Sequence, residues 1–323
     1  MPRLLLLALA LLLGAAPAHA AGFSRHEVTD PAGGLLEVAL WYPSDTPPSP
    51  QPLGPHVQPV APGAPMRGEA LPLVLMSHGS GGSLSNHYDT ALALAEAGFI
   101  VAALTHRGDS TDDASLAGTS AGLVLRSLQY KRVMDWLLGE WAGRGQVDAG
   151  RLAGFGFAAG GFTVLVAAGG VPDLSRIGLH CTTQPGDPSC RLVRTEGPQP
   201  QSPAEWVHDG RLRALVLATP ALGYTFMPLG LATVDLPVQL WRGRQDEVLM
   251  HPWHAEQVRY ALPNAPLHAE VPGAGHYAFL APCPPPMMMS VPEICMDPQG
   301  FDRARFHREF NAVVVRFLQE KLR

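Results

Sequence analysis

A turn, a carboxylate and a histidine occur along this chain in an order that suits nucleophilic chemistry. The turn is Gly156-Phe157-Ala158-Ala159-Gly160. The apolar run Leu152 to Phe155 precedes it, and an Ala-rich stretch of helical character follows. That reads as strand, sharp turn and helix, the G-x-S-x-G layout in which glycines keep space around a strained residue. The place of the serine is held by Ala158. Asp246 follows, in Arg242-Gly243-Arg244-Gln245-Asp246-Glu247, just past a buried apolar strand. Parallel sheets gather their ligands at that strand edge. Spacing alone leaves Glu247 open beside it. His276 comes last, in Gly273-Ala274-Gly275-His276-Tyr277. Its flanking glycines and its place after the final strand single it out among 13 histidines.

Acyl transfer needs a nucleophile, a histidine to take its proton, a carboxylate to orient the histidine, and N–H groups aimed at the oxyanion. His78-Gly79-Ser80-Gly81-Gly82 follows a buried strand and supplies a candidate for the last part. The donors would be the N–H groups of Ser80 and Ala159, which survive any side-chain change. Taken alone, that loop is a glycine turn; taken with the other three parts it completes the set. With alanine at 158 the covalent route is missing, a loss on the order of a million-fold in turnover. Ser80 is the nearest hydroxyl but lacks the strained turn, and Thr163 should point into the core. His276 could instead activate a water. The leader peptide still present weighs against an engineered exchange and favours natural divergence.

The elements that must position these residues alternate. His26 to Val28 and Leu35 to Trp41 read as a hairpin around Asp30-Pro31-Ala32-Gly33-Gly34. The Pro-rich stretch 47–65 reads as a surface loop. Buried strands are expected at Leu71 to Ser77, Phe99 to Thr105, Leu152 to Phe155, Ala214 to Thr219 and Pro237 to Trp241, with a last short one at His268 to Val271. Helices are expected at about Asn86 to Ala97, Ala121 to Leu138, after the 156–160 turn, Trp253 to Leu262 and Phe301 to Lys321. The stretches 172–211 and 272–300 read as long irregular loops, with 170–211 a lid-like insertion. This pattern predicts an α/β class fold, a mostly parallel sheet with helices on both faces and an N-terminal antiparallel hairpin, in one domain over 21–323.

With 46% hydrophobic residues the 323-residue chain can build a large core. A net charge of −5 and scattered Lys/Arg give no footprint for nucleic acid. Arg3, the apolar run Leu4 to Leu13 and Ala18-His19-Ala20 form a secretory leader over residues 1–20. The run is short and broken by Gly14 and Pro17, so no stable membrane anchor is expected, and the mature chain is placed in the periplasm or outside the cell. Four cysteines suit an oxidising compartment and allow three pairings. The sequential pairing, Cys181–Cys190 and Cys283–Cys295, closes two short loops and is the one expected. A zinc site is the rival, weakened by the absence of C-x-x-C spacing. No metal and no cofactor are expected, and oligomeric state is not legible.

The segments Ser77 to Gly82, Gly156 to Gly160, Gly243 to Val248, Gly273 to His276, Tyr277 to Cys283 and Gly300-Phe301-Asp302 together resemble the secreted dienelactone-hydrolase-like α/β-hydrolases. That group is related to platelet-activating-factor acetylhydrolases and cutinase-like polyesterases. The resemblance covers nearly all of the mature chain. It implies an eight-stranded α/β-hydrolase sheet and small-molecule ester or lactone substrates. By position it makes Asp246 the acid, His276 the base, and Ser80 and Ala159 the oxyanion donors. Ala158 is the departure, where such proteins carry Ser or Cys. The expectation is therefore an ester- or lactone-hydrolase scaffold, inactive or very slow as written. Its alternative is a non-catalytic periplasmic binder of an ester or acyl ligand.

Overall fold

The computed structural model describes residues 20–194, 206–227 and 229–323. The expected leader lies outside them except for Ala20, the first residue of β1 (Ala20–Thr29). The other strands are β2 (Leu35–Ser44), β3 (Ser49–Leu53), β4 (His56–Pro62), β5 (Leu71–Ser77), β6 (Ile100–Leu104), β7 (Val147–Phe157), β8 (Leu212–Ala218), β9 (Val238–Gly243) and β10 (Leu267–Val271). They form one sheet in the order β10-β9-β8-β7-β5-β6-β2-β1-β4-β3. From β10 across to β6 every pairing is parallel. β2 joins β6 antiparallel, and β1 joins β2 as the expected hairpin.

The central stretches of the parallel strands are apolar because helices cover both of their faces. β6, Ile-Val-Ala-Ala-Leu, is buried at every position. Two consecutive residues of β7 show the two layers. A side chain at Gly154 would run into Val164 and Tyr130, which lie on α3 (Ala159–Ala167) and α2 (Ser120–Gly139). Phe155, pointing the other way, meets His87 and Phe310, with ring centroids 5.0 and 6.4 Å away. Phe310 belongs to α8 (Arg303–Lys321), and His87 caps α1 (Tyr88–Glu96). Both long helices start on side-chain caps: Thr119 accepts from the N–H of Gly122, and Asp302 from that of Arg305.

Among the described residues the sheet has ten strands, where the resemblance implies eight. The extra pair, β3 and β4, comes from the Pro-rich stretch expected to be a loop. Proline removes a ladder donor, which argues against a strand. Here Pro50 faces Pro59, and Pro52 faces Val57. Alternate positions of an antiparallel ladder exchange no N–H bonds, and the prolines occupy those. The stretches expected to be irregular also hold short helices. α4 (Arg176–Thr183) lies in the first, and α6 (Pro285–Ser290) and α7 (Pro292–Cys295) in the second. The remaining helix is α5 (Ala255–Ala261). Helices this short carry little periodic signal and are marginal alone. Cross-links supply the missing constraint: the disulfides are Cys181–Cys190 and Cys283–Cys295, the expected pairing. With all four cysteines so bonded, none offers a thiolate to zinc.

Candidate active site

Ala158 stands between β7 and α3 with φ 49° and ψ −115°. An L-residue with that φ is strained by about 1–3 kcal/mol and persists only where its surroundings fix it. Three backbone hydrogen bonds fix it here. Its N–H donates to Ala218 O at 3.1 Å, and its carbonyl accepts from Phe162 at 3.2 Å and Ala221 at 3.0 Å. The two framing glycines are demanded by close approach. A Cβ on Gly156 would lie 2.3 Å from Gly160 O, and one on Gly160 would lie 1.9 Å from Ser77 O.

His276 opens a 3-10 turn, His276–Phe279, just beyond β10. Its Nδ1 lies 2.9 Å from Asp246 Oδ2 and 3.1 Å from Oδ1. Against a carboxylate, Nδ1 carries the proton, so Nε2 presents its lone pair when the ring is neutral. The ring packs on Phe157, centroids 4.9 Å apart. Asp246 also accepts from the Thr219 hydroxyl at 2.6 Å and from the N–H groups of Val248 and Leu249 at 3.0 and 2.7 Å. Burial pushes its carboxyl up; the His276 charge and hydrogen bond, the Thr219 hydroxyl and the Leu249 N–H outweigh that and hold it below the ordinary value. Glu247, left open by spacing, accepts instead from the backbone N–H of His276 at 3.1 Å. It fixes the turn, and Asp246 fixes the ring.

The Gly79–Gly82 loop is held from below. Asp109 Oδ1 accepts from the Ser80 hydroxyl at 2.6 Å and from the Gly81 N–H at 3.0 Å. Its other oxygen takes Arg126 Nη1 at 2.8 Å, an ion pair almost wholly shielded from solvent. Arg126 also donates to His78 O and, at 3.1 Å, to Thr163 Oγ1. Thr163 thus points inward as expected, donating in turn to Ala159 O. Burial first, then the Arg126 charge, push His78 down to about 3. It is a neutral ring that accepts the His106 N–H at 2.9 Å.

Gly79, Ser80, Ala158, Ala159 and His276 line one cavity of about 220 Å³. Leu123, Phe157, Leu222 and Leu249 make its apolar wall. Ser189, Leu192 and Val193, from the described part of the 170–211 stretch, also line it. Asp187 anchors that segment by accepting from His180 at 2.7 Å and His254 at 3.2 Å. Residues 195–205 of the insertion lie outside the described residues. Among the described residues no group of three or more His, Cys, Asp or Glu is placed to hold a metal, and no helix is long and apolar enough to cross a membrane.

One solved structure that matches is a ferulic acid esterase from Streptomyces cinnamoneus. The two are 19% identical, with 95% of this chain and 91% of that one covered at a TM-score of 0.64. The chain has the α/β-hydrolase fold. Residues 51–120 also match the family model described as platelet-activating factor acetylhydrolase, isoform II. That segment runs from β3 to the start of α2 and contains the Gly79–Gly82 loop and Asp109. A search of curated proteins gives no significant match.

The structure thus brings Ser80, Ala158, Ala159 and His276, residues singled out in the sequence, to one cavity, with Asp246 bonded to His276. Asp109, Arg126 and Thr219 were not anticipated. Arg126 had a signal. It lies on the same helical stripe as Leu123, Tyr130, Val133 and Leu137, all buried. A charge on an apolar stripe needs a buried partner.

Proposed function

We propose that this protein is a hydrolase-type binding site for small carboxylic esters or lactones that lacks the covalent step. The observation carrying the proposal is His276, held by Asp246, on the same cavity wall as Ala158, whose backbone keeps the strained turn. The apolar wall suits an acyl or aryl group, and a 150 Å³ apolar cavity already takes benzene. The ferulic acid esterase and acetylhydrolase likenesses point to ester chemistry as well. Asp246 orients the base, and Ser80 and Ala159 offer backbone N–H groups to a carbonyl oxygen. The leader-like N-terminus and two disulfides support a periplasmic or extracellular location.

The test is Ala158→Ser. Gly156 and Gly160 leave the turn uncluttered, so a hydroxyl fits without new strain. The variant is expected to gain several orders of magnitude on short-chain p-nitrophenyl esters and to react with a fluorophosphonate. A folded serine variant that does neither would give first place to the non-catalytic binder reading.

A further inference from the structure

Position 158 carries no hydroxyl, while His276, bonded to Asp246, stands on the same cavity. We propose that the unmodified protein hydrolyses its ester directly with water, His276 acting as general base, in one addition–elimination sequence without an acyl-enzyme. The proposal rests on the ester-site reading above.

His276 Nδ1 is committed to Asp246 at 2.9 Å, so only Nε2 can take a proton. The imidazole and Ala158 share the cavity wall. The backbone at 158 remains at φ 49°, so its methyl group occupies the station from which a serine side chain would present its oxygen. Gly79 faces that station without a side chain; a Cβ built there would lie 3.4 Å from the Ala158 methyl. The neighbouring hydroxyl adds an orienting group. Ser80 gives its hydrogen to Asp109 Oδ1 at 2.6 Å, so toward the cavity it offers only lone pairs. In the proposed step a water in this cavity, which His276, Ala158 and Ser80 all line, donates one hydrogen to His276 Nε2 and the other to Ser80 Oγ.

The step balances. The water oxygen bonds to the carbonyl carbon, its proton passes to Nε2, and the carbonyl π pair moves to oxygen beside the Ser80 and Ala159 N–H groups. Collapse of this intermediate breaks the bond to the alcohol or phenol oxygen. The departing oxygen takes the proton from the imidazolium, leaving the free acid and neutral His276. Ser80 is a poor nucleophile in this arrangement. Its proton partner, Asp109, is already tied to Arg126 and to the Gly81 N–H, and Ser80 lies outside the strained turn.

General-base assistance contributes about 10²–10⁴ in rate. Hydrolysis of p-nitrophenyl acetate by the full chain is therefore expected to exceed that of His276→Gln by about a hundredfold. Asp246→Asn, which misorients the ring while keeping its shape, should fall by a similar factor. Intact-mass spectra during turnover should show no acyl adduct, and a fluorophosphonate should leave the rate unchanged. Two results overturn the proposal: equal rates for the unmodified chain and both variants, each confirmed folded by circular dichroism, or an acyl adduct on any residue. Ala158→Ser, assayed alongside, separates the causes. If it is active while the unmodified chain matches His276→Gln, only the water route fails. If it too is inactive, the ester-site reading fails with it.

Discussion

Ala158 carries a methyl group in a conformation that alanine on its own would avoid. The strain is imposed by residues 218, 221 and 162, so it belongs to the scaffold and not to the side chain at 158. The same division of labour separates Asp246 from Glu247. In the Ala158→Ser background, Asp246→Asn should lower kcat by about 10⁴, the size seen when a triad histidine loses its correct tautomer. Glu247→Gln keeps an acceptor for the His276 N–H, so kcat should change less than tenfold. Steady-state kinetics on one ester decide it, and equal losses would mean that the two carboxylates share the role. The sequence placed both acids at the right strand end but could not choose between adjacent residues. The choice is made by which oxygen reaches Nδ1, a property of the turn after β9 and its bonds to Thr219, Val248 and Leu249.

At the scale of elements, α2 does more than cover the sheet. It sends Arg126 beneath the Gly79–Gly82 loop, where the guanidinium ties β5, the Asp109 loop and α3 together. Arg126→Met should destabilise the fold by about 3–5 kcal/mol, because Asp109 is left buried and unpaired. Adding Asp109→Leu should recover a large part of that loss. Urea denaturation of the single and double variants measures both, and a single-variant loss below about 1 kcal/mol would refute the account. Most core elements were legible for a physical reason. β5 and β6 are apolar runs, β7 and β8 hold apolar runs at their centres, and α2 and α8 are long enough to show a period. α4, α6 and α7 were not, since their order comes from disulfides and docking instead of pattern. The β3–β4 hairpin was hidden by its prolines, which act as breakers everywhere except at ladder positions needing no donor.

Across the whole molecule, buried imidazoles set the response to acid. Burial lowers His78 to about 3 and His87 to about 4, from 6.5 in an exposed ring. Between those limits the unfolded chain binds protons that the folded chain refuses. Stability therefore falls as pH drops from about 6.5 toward 4, by about 1.4 kcal/mol per pH unit for each such ring, and His106, also held well below its ordinary value by burial, adds to these two. Asp89, Asp109 and Asp246, held below the usual carboxylate value, contribute stability that is lost at still lower pH as they protonate in the folded state. Both effects have the same sign, so acid only weakens the fold. His87 packs between Phe155 and Phe157, with centroids 5.0 and 5.3 Å away. His87→Phe should fit that slot and flatten the dependence by about one proton. Denaturation midpoints at pH 5 and 7 test this; an unchanged slope would remove His87 from the explanation.

The proline-bearing hairpin also bears on how this protein behaves at high concentration. β3 is the outermost strand at its end of the sheet. An open strand presents free donors that a second molecule can pair with, and this is a common start of aggregation. Residues 50 and 52 are the ones whose N–H groups would face outward, away from β4, and proline deletes both. The flank is left unable to template a neighbour's strand. Pro50→Thr combined with Pro52→Thr should restore those donors and make concentrated solutions scatter light on storage, while a variant that stays monodisperse would show that the edge is protected by other means.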